Sequence, residues 1–416
     1  MFKGTAIAQF IAVIGAIYLA KIYGEEAYGF FSFFISVVGV FSIVSSLQLE
    51  KCIVIGNTKE ISKNWLNFIL LIVPFFTLIC VLFMYLISFF VDFEELNTTT
   101  YCFIIIGNII TTYVIVFENY LTFQKRFSIL ANTKIFTTLL NLLLQILLFY
   151  CFDILGLIIG YIISRGLQLF YFFIDGKKNI TIINFKVIKK EFSKNITIVK
   201  YLLPSNFLNA AANHIIPLLI IYFFSIKEAG IYFLSTKILG SPLFLISTSV
   251  SQVFFQKSSE LYQKNNTQLF LLTKKLVKSN LLLMLVFLII INTLGIYVLE
   301  LYFKGSWQNL RVYLYILSFL ILARSSFNPI SSLIVVLNKN QLSLYFNCYL
   351  LVSNLISITL GAYFEDIILT MYCLSFFGVL GYFMLLYYFL RHLNLLSLKK
   401  LMRQNLIFIF LGGSNI

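Results

Sequence analysis

The sequence predicts an all-α polytopic membrane protein of about twelve transmembrane helices, arranged in two lobes of six. Two observations of composition support this class: 60% of the 416 residues are hydrophobic and only 11% are charged, whereas soluble domains carry about 25% charged residues. The third is the length of the apolar runs, which is close to the roughly twenty residues that span a bilayer as a helix.

The apolar runs divide the chain into four parts. The first six runs lie at about 4–22, 28–49, 65–91, 101–119, 135–152 and 154–174. The next six lie at about 201–224, 230–255, 281–303, 312–337, 342–364 and 367–390. We therefore expect an N-terminal lobe (1–174), a cytoplasmic linker (175–200), a C-terminal lobe (201–390) and a basic tail (391–416). The tail is expected to be cytoplasmic and to lie in the membrane interface as an amphipathic helix.

The distribution of Lys and Arg predicts the orientation. If the N-terminus is inside, 24 of the 31 basic residues fall in inside segments and three within spans. The four in outside loops are Lys21, Lys227, Lys304 and Arg311. By the positive-inside rule both termini are expected to be cytoplasmic. The net charge of +15 then faces the anionic leaflet, and no nucleic-acid partner is expected.

Cysteine and histidine usage gives no sign of a metal or cofactor. The six cysteines are scattered without a C-x-x-C pair, and there are two histidines and no Gly-rich phosphate loop. Neither a disulfide framework nor a metal site is expected.

The first outer turn of each half has a similar sequence. "YGEEAYGFFSF" (23–33) aligns with "SIKEAGIYFLS" (225–235), matching Glu26 with Glu228 and Gly29 with Gly230 after a one-residue gap. Six spans per half give both halves the same orientation, so we expect a parallel repeat with a cleft between two bundles. The alternative is a chance likeness between short loops.

Three basic residues fall within predicted spans, namely Arg165, Lys237 and Arg324. A basic residue at a helix centre costs roughly 2.5–3.5 kcal/mol on insertion scales, so it normally faces a polar cavity or a partner. Glu50 and Glu118 lie near span ends, which leaves the buried charge positive and predicts an anion site. Alternatively, Lys237 snorkels outward and the two arginines are structural.

Helical spacing gathers further polar residues on one face of several spans. The candidate substrate-binding residues are Lys237, Arg165, Arg324, Asn206, Asn209, Asn213, Ser241 and Gln252. Lys237, Ser241, Thr248 and Gln252 share one stripe, and Gln9 and Ser36 lie on stripes of spans one and two. His214 and Glu50 are candidates for coupling to H⁺ or Na⁺. The alternative is that such side chains join packed helices.

Prolines fall inside three spans that carry these polar residues: Pro217, Pro242 and Pro329. A mid-helix proline removes a backbone hydrogen bond and bends the helix. We expect bends that shape the cavity and act as hinges; static kinks are the alternative.

Several stretches match loose family patterns. "KIYGEEAYG" has Lys21 in the basic position of an R-x-Y-s-p-e-x-f-G turn. "LQLEKCIVIG" keeps Glu50 of an R-Y-E-x-A-I pattern but has Gln48 where arginine is usual. The stretch 201–260 contains a G-x-Y…[RK]-x-L-x-x-P run, with Lys237 and Pro242 in the basic and proline positions. These features resemble bacterial polysaccharide-biosynthesis flippases, of the superfamily that includes the multidrug and toxin extruders.

This resemblance implies two six-helix lobes that work by alternating access in the bacterial inner membrane. The implied substrate is an undecaprenyl-pyrophosphate-linked oligosaccharide of O-antigen or capsule, and the implied partners are membrane lipids, a polysaccharide polymerase and a chain-length regulator. It favours Lys237 as the leading anion-binding residue. The alternatives are a multidrug or cation-coupled exporter, which would favour deep acidic residues, and a lipid-linked peptidoglycan precursor flippase. A membrane enzyme would need a large outer catalytic loop, which the short predicted loops do not provide.

Overall fold

The fold is all-α in the residues described by this structure, a computed structural model that covers 2–56, 58–89, 96–176, 183–264, 266–337 and 339–412. Within these ranges, ten segments are long and apolar enough to cross a membrane. Two of them, Ala6–Ser46 and Phe127–Ile174, each contain two helical arms, so each of the twelve predicted runs corresponds to a helix of this set; residues 90 and 91 of the third run lie outside the described residues. The predicted all-α, multi-pass membrane architecture is confirmed.

The first half of the chain begins with α1 (Phe2–Ser46), which is broken at Gly24. Gly24 has a φ of 78°, in the left-handed region that glycine adopts readily, and it separates the first two predicted spans. The other helices are α2 (Glu50–Ile55), α3 (Lys59–Ile87), α4 (Thr98–Phe123), α5 (Phe127–Phe152) and, after a 3₁₀ turn at Asp153–Leu155, α6 (Gly156–Gly176). Thr58 and Asn97 cap α3 and α4, each accepting a backbone N–H bond three residues on.

The predicted linker contains a helix of its own, α7 (Phe185–Thr197), followed by a π turn at Ile198–Leu202. The second half then comprises α8 (Leu203–Phe223), α9 (Ile226–Lys264), α10 (Asn266–Ile290), α11 (Ile296–Phe303), α12 (Leu310–Phe327), α13 (Leu333–Val336), α14 (Asn340–Tyr363) and α15 (Ile367–Gly412). A π turn at Ile291–Gly295 joins α10 to α11, and a 3₁₀ turn at Asn328–Ser332 joins α12 to α13.

Helix lengths differ most from the predicted spans at α9, α10 and α15. Hydropathy detects only the apolar part of a helix, whereas the backbone stays helical into polar residues until a breaker intervenes. No Gly or Pro separates residue 390 from residue 411, and α15 continues into the predicted tail as far as Gly412; residues 413–416 lie outside the described part of the chain. Of the three predicted proline bends, Pro329 lies in a break of regular helix, while α8 and α9 continue through Pro217 and Pro242.

The turns gather at two ends of the molecule. One end, called here the Gly24 end, contains the breaks at Gly24 and Asp153 and the loop before α12. Two contacts show that these turns lie together: the Tyr23 hydroxyl donates to the Gln145 carbonyl (2.5 Å), and the Tyr28 and Trp307 rings lie 5.7 Å apart. The α7 end is the opposite one, where α7 lies against the start of α3.

Helix α1 lies at the centre of the bundle. It packs against α3, α4 and α5 of the first half and against α8 and α9 of the second. The largest buried apolar cluster draws on both halves, for example Phe34 of α1, Ile220 of α8 and Leu239 of α9. The two halves are therefore joined mainly through α1, and this junction borders the cavities described next.

Candidate functional site

A cavity of about 470 Å³ lies among α1, α8, α9, α12, α14 and α15. This volume is within the roughly 300–1,000 Å³ of typical ligand sites. The polar residues along its wall are Gln9, Ser36, Asn213, His214, Thr236, Ser241, Ser247, Arg324, Ser325, Asn328 and Asn354, with the tyrosines Tyr232 and Tyr382. Most of them belong to the second half of the chain, and both arms of α1 close the remaining side.

Arg324 supplies the charge in this cavity. It is the sole Lys, Arg, Asp or Glu residue among the described residues that line the wall, and its side chain is exposed there. Arg324 lies in the last turn of α12, where the negative end of the helix dipole favours a cation. Within the described chain no carboxylate forms an ion pair with it. A guanidinium without a counterion suits a phosphate or carboxylate ligand.

Ser247 adds a hydroxyl that has no protein partner. The residue is 1% exposed and lines the cavity, and its Oγ has no hydrogen-bond partner among the described residues. The neighbouring Ser325 differs, since its hydroxyl donates to the Ile321 carbonyl (2.5 Å). A buried polar atom without a partner costs about 1–3 kcal/mol, and a ligand hydroxyl could offset that cost.

Asn213 and His214 line the cavity as predicted. The Asn213 amide donates to the backbone carbonyl of Asn209 (2.7 Å). The His214 imidazole packs on α1 at Gly39, so closely that a Cβ there would lie 2.6 Å from its Nε2. His214 therefore sits where the second half of the chain meets α1, at the wall of the cavity.

Lys237 and Gln252 lie outside this wall, although they share the predicted stripe with Ser241. The Lys237 ammonium lies 5.4 Å from the centre of the Phe233 ring, and Phe233 in turn lines the cavity. In the part of the chain described, no carboxylate pairs with Lys237. Gln252 is exposed. Ser247, five residues beyond Pro242, does line the cavity, and the predicted stripe did not include it.

Arg165 lies in the first half, outside the cavity, and is linked to a carboxylate. Its guanidinium donates to Gln168 Oε1 (2.9 Å), and the Gln168 amide donates to Glu118 Oε1 (3.4 Å). Its guanidinium carbon also lies 5.7 Å from the Tyr161 ring centre. Arg165, predicted to be one of three unbalanced cations, is thus connected through Gln168 to Glu118 near the end of α4, because α4 and α6 pack side by side.

Asn206 and Asn209 lie outside the cavity wall and join helices. The Asn206 amide donates to Gln48 Oε1 (2.8 Å), across the two halves of the chain. The Asn209 amide donates to Asn347 Oδ1 (3.0 Å), and Asn347 donates to the Ser205 carbonyl (3.1 Å). These bonds are typical of interhelical packing.

Glu50 begins α2 near the α7 end, outside the spanning segments. It is 2% exposed, and its Oε2 has no hydrogen-bond partner among the described residues. Burial raises the pKa of this carboxyl above its usual value, against the smaller opposing effects of a Ser46 hydrogen bond and the Lys51 charge.

The model of a polysaccharide biosynthesis protein family matches residues 18–311, well over half of the chain. The chain belongs to this polysaccharide biosynthesis family. The matched range includes Arg165, His214 and Lys237 and ends before Arg324. The predicted family resemblance is confirmed. A search of curated proteins gave no match.

Solved structures show the fold of this polysaccharide biosynthesis protein. The lipid II flippase MurJ, in an inward closed conformation, superposes with a TM-score of 0.69 at 15% identity, over 98% of this chain and 92% of that one. The Vibrio cholerae MATE transporter VcmN gives 0.61 at 14% identity, over 98% and 96%. A MOP superfamily transporter from Pyrococcus furiosus gives 0.55 at 12% identity, over 92% of each chain. The chain therefore shares the fold of these three transporters.

A second cavity of about 610 Å³ lies on the side of the bundle. It runs between the first arm of α1 and α9, α10, the π turn and α11, and Pro242 forms part of its wall. Its lining is apolar apart from Gln9, and the lining residues Phe10, Leu294 and Val298 are all at least 60% exposed. Gln9 also lines the polar cavity, so a polar and an apolar compartment adjoin at one residue.

Proposed function

We propose that this polysaccharide biosynthesis protein is a flippase for lipid-linked oligosaccharides. The proposed substrate is an undecaprenyl-pyrophosphate-linked repeat unit of O-antigen or capsule, which crosses the bacterial inner membrane by alternating access. The observation that carries the proposal is the adjoining pair of cavities. One is polar and contains Arg324, which has no ion-pair partner among the described residues; the other is apolar and lateral, and Gln9 borders both.

The polar cavity has the chemistry that a glycosyl pyrophosphate needs. Arg324 would contact the phosphate, since a planar guanidinium can donate two parallel hydrogen bonds to it. Sugar hydroxyls would bond to the Ser247 hydroxyl and to the amides of Asn213, Asn328 and Asn354. Ser241 would contribute a further hydroxyl. All of these residues line the cavity.

The lateral groove has the chemistry that an isoprenoid chain needs. Exposed apolar side chains on a multi-pass membrane protein face lipid, so a chain in this groove would remain in contact with the bilayer. The headgroup could then pass between the two halves of the protein while the isoprenoid chain moves along their edge.

The proposed orientation places the α7 end and both termini in the cytoplasm, because most of the Lys and Arg residues fall on that side. In this arrangement the halves 1–174 and 201–390 act as the two moving lobes around the polar cavity. Lys237 and Arg165, which lie outside the wall, would meet the headgroup in another conformation. His214 and Glu50 are the candidates for coupling to H⁺ or Na⁺.

Two other substrates are weighed against this proposal. A lipid-linked peptidoglycan precursor has the same pyrophosphate and isoprenoid chemistry, and MurJ, whose fold this chain shares, is a lipid II flippase. A cation-coupled drug exporter is less consistent with the site, because the described residues along the polar cavity include no Asp or Glu.

The experiment is deletion of the gene followed by mass spectrometry of lipid-linked intermediates. We expect undecaprenyl-pyrophosphate oligosaccharides to accumulate and surface polysaccharide to disappear, and both effects to be reversed by the wild-type chain. Arg324→Ala should fail to restore them, whereas Arg311→Ala, an exposed arginine at the Gly24 end, should succeed. Accumulation of a lipid-linked peptidoglycan precursor instead would select the alternative, and unchanged lipid pools would exclude both.

A further inference from the structure

Helix α7 carries a basic face that the two cavities do not use. Four lysines lie on this helix of 13 residues, and all four are exposed: Lys186, Lys189, Lys190 and Lys194. Its one acidic residue, Glu191, is turned inward, with a side chain only 13% exposed that pairs with Lys194 at 2.6 Å. The exposed face of α7 is therefore strongly positive.

The other face of α7 is fixed to the start of α3. Ile188 is 5% exposed and belongs to the same buried cluster as Trp65 and Leu66. The Phe185 and Phe68 rings lie 6.4 Å apart, and just before the helix the Asn184 backbone N–H donates to Asn64 Oδ1 (2.9 Å). Because α3 is a membrane-length helix that begins at Lys59, contacts with its first turns place α7 at the depth of the membrane surface.

Two exposed apolar side chains lie at the ends of α7, before and after the four lysines. Phe185, in the first turn, is 61% exposed, and Ile196, just after the non-helical residue Asn195, is 49% exposed. Helices that lie in a membrane interface combine these features, with apolar residues at the boundary of the acyl chains and lysines among the headgroups.

We propose that α7 binds anionic phospholipid, with Lys186, Lys189 and Lys190 contacting headgroup phosphates and Phe185 and Ile196 entering the acyl boundary. The exposed apolar pair favours a lipid surface over an acidic protein segment, which would need charge alone. The polybasic face supplies the electrostatic attraction that anionic leaflets exert on such segments.

Binding at α7 has a consequence for the transport site. The π turn Ile198–Leu202 connects α7 directly to α8, and α8 carries Asn213 and His214 on the cavity wall. A lipid that holds α7 on the membrane therefore also holds the start of a cavity-lining helix. The lipid-binding proposal itself does not depend on which glycan is transported.

The test uses the full-length protein in nanodiscs of phosphatidylcholine with or without phosphatidylglycerol, with retained lipids counted by native mass spectrometry. We expect the triple variant K186Q/K189Q/K190Q to retain phosphatidylglycerol at least tenfold less tightly, and to retain phosphatidylcholine unchanged. The variant K186R/K189R/K190R should behave as wild type. Thermal unfolding in phosphatidylcholine alone checks that the exposed substitutions leave the fold intact.

A matched control removes three exposed lysines from α10, Lys274, Lys275 and Lys278. We expect K274Q/K275Q/K278Q to retain most of the phosphatidylglycerol. Equal losses in both triple variants would show diffuse charge attraction and overturn a site on α7. Full retention by the α7 variant would overturn it too, as would binding of an acidic peptide in place of the lipid.

Discussion

Gly29 and Gly230 pack against each other at the Gly24 end, each lying on the backbone of the other half of the chain. A Cβ on Gly29 would overlap the carbonyl oxygen of Ile226, and a Cβ on Gly230 would overlap that of Glu25 and lie 2.9 Å from the Gly29 nitrogen. Beside them the Lys227 ammonium pairs with Glu25 at 3.1 Å. Gly29 and Gly230 are the two glycines that the alignment of the two halves matched. Equivalent positions of the two halves therefore contact each other, each against the backbone of the other half.

This contact predicts that Gly29→Ala and Gly230→Ala each force the halves apart at the Gly24 end. Overpacking costs about 1–3 kcal/mol, and backbone cannot move aside as a side chain can. We expect a lower thermal unfolding midpoint and faster thiol labelling of a cysteine introduced near Gly24. Gly240→Ala is the control, because the nearest atom to its Cβ would be a side-chain carbon at 3.7 Å. If all three variants unfold at the same temperature, the close contact does not hold the halves together.

The cavity predicts a ranking of the three cations. Arg324→Ala should reduce surface polysaccharide most, by about 10- to 100-fold, since hydrogen bonds to charged groups contribute about 1.5–3 kcal/mol. Lys237→Ala and Arg165→Ala should have smaller effects, because neither residue lines the polar cavity. Arg324→Lys should restore part of the function, as it keeps the charge but loses the bidentate geometry. Surface polysaccharide is measured at matched protein levels, and unchanged production in all three alanine variants would rule out a cationic site.

The sequence was sufficient to predict the spans and part of the cavity. Hydropathy located the apolar runs because burial in a bilayer requires them, and Arg324, Asn213, His214 and Ser241 do line the polar cavity. Helical spacing shows which residues share a face but not how the helix is rotated within the bundle.

Some cavity residues could not be predicted because the rotation of each helix within the bundle was unknown. Lys237 and Gln252 were grouped with Ser241, yet Ser247 occupies the cavity wall instead. Asn354 was missed because it reaches the cavity through contact of α14 with α8, where its amide donates to the Ala212 carbonyl (2.6 Å). Contacts between helices far apart in the chain leave no local signal in one sequence.

The link from Arg165 to Glu118 predicts a structural role for Gln168. Gln168→Leu would remove both hydrogen bonds, so that the partly buried guanidinium loses its Gln168 acceptor, at a cost of about 1–3 kcal/mol. We expect a lower unfolding midpoint in detergent. Leu167→Ala, at the exposed neighbouring position, should change stability by no more than about 0.5 kcal/mol. Similar unfolding midpoints for the two variants would show that the hydrogen bonds from Arg165 through Gln168 to Glu118 add little to stability.

Burial of Glu50 predicts a pH-dependent stability. Because burial raises the pKa of this carboxyl in the folded protein, the folded state favours the protonated form. Its contribution to stability is fully present below the ordinary Glu pKa of about 4.3 and is lost as the pH rises through the raised value. Glu50→Gln, which mimics the protonated form, should therefore match wild type in acid and become increasingly more stable than wild type as the pH rises. Unfolding midpoints across a pH series measure this difference, with Glu60→Gln at an exposed position as the control. A constant offset between Glu50→Gln and wild type at every pH would show that the carboxyl does not titrate in this range and would weaken its candidacy for proton coupling.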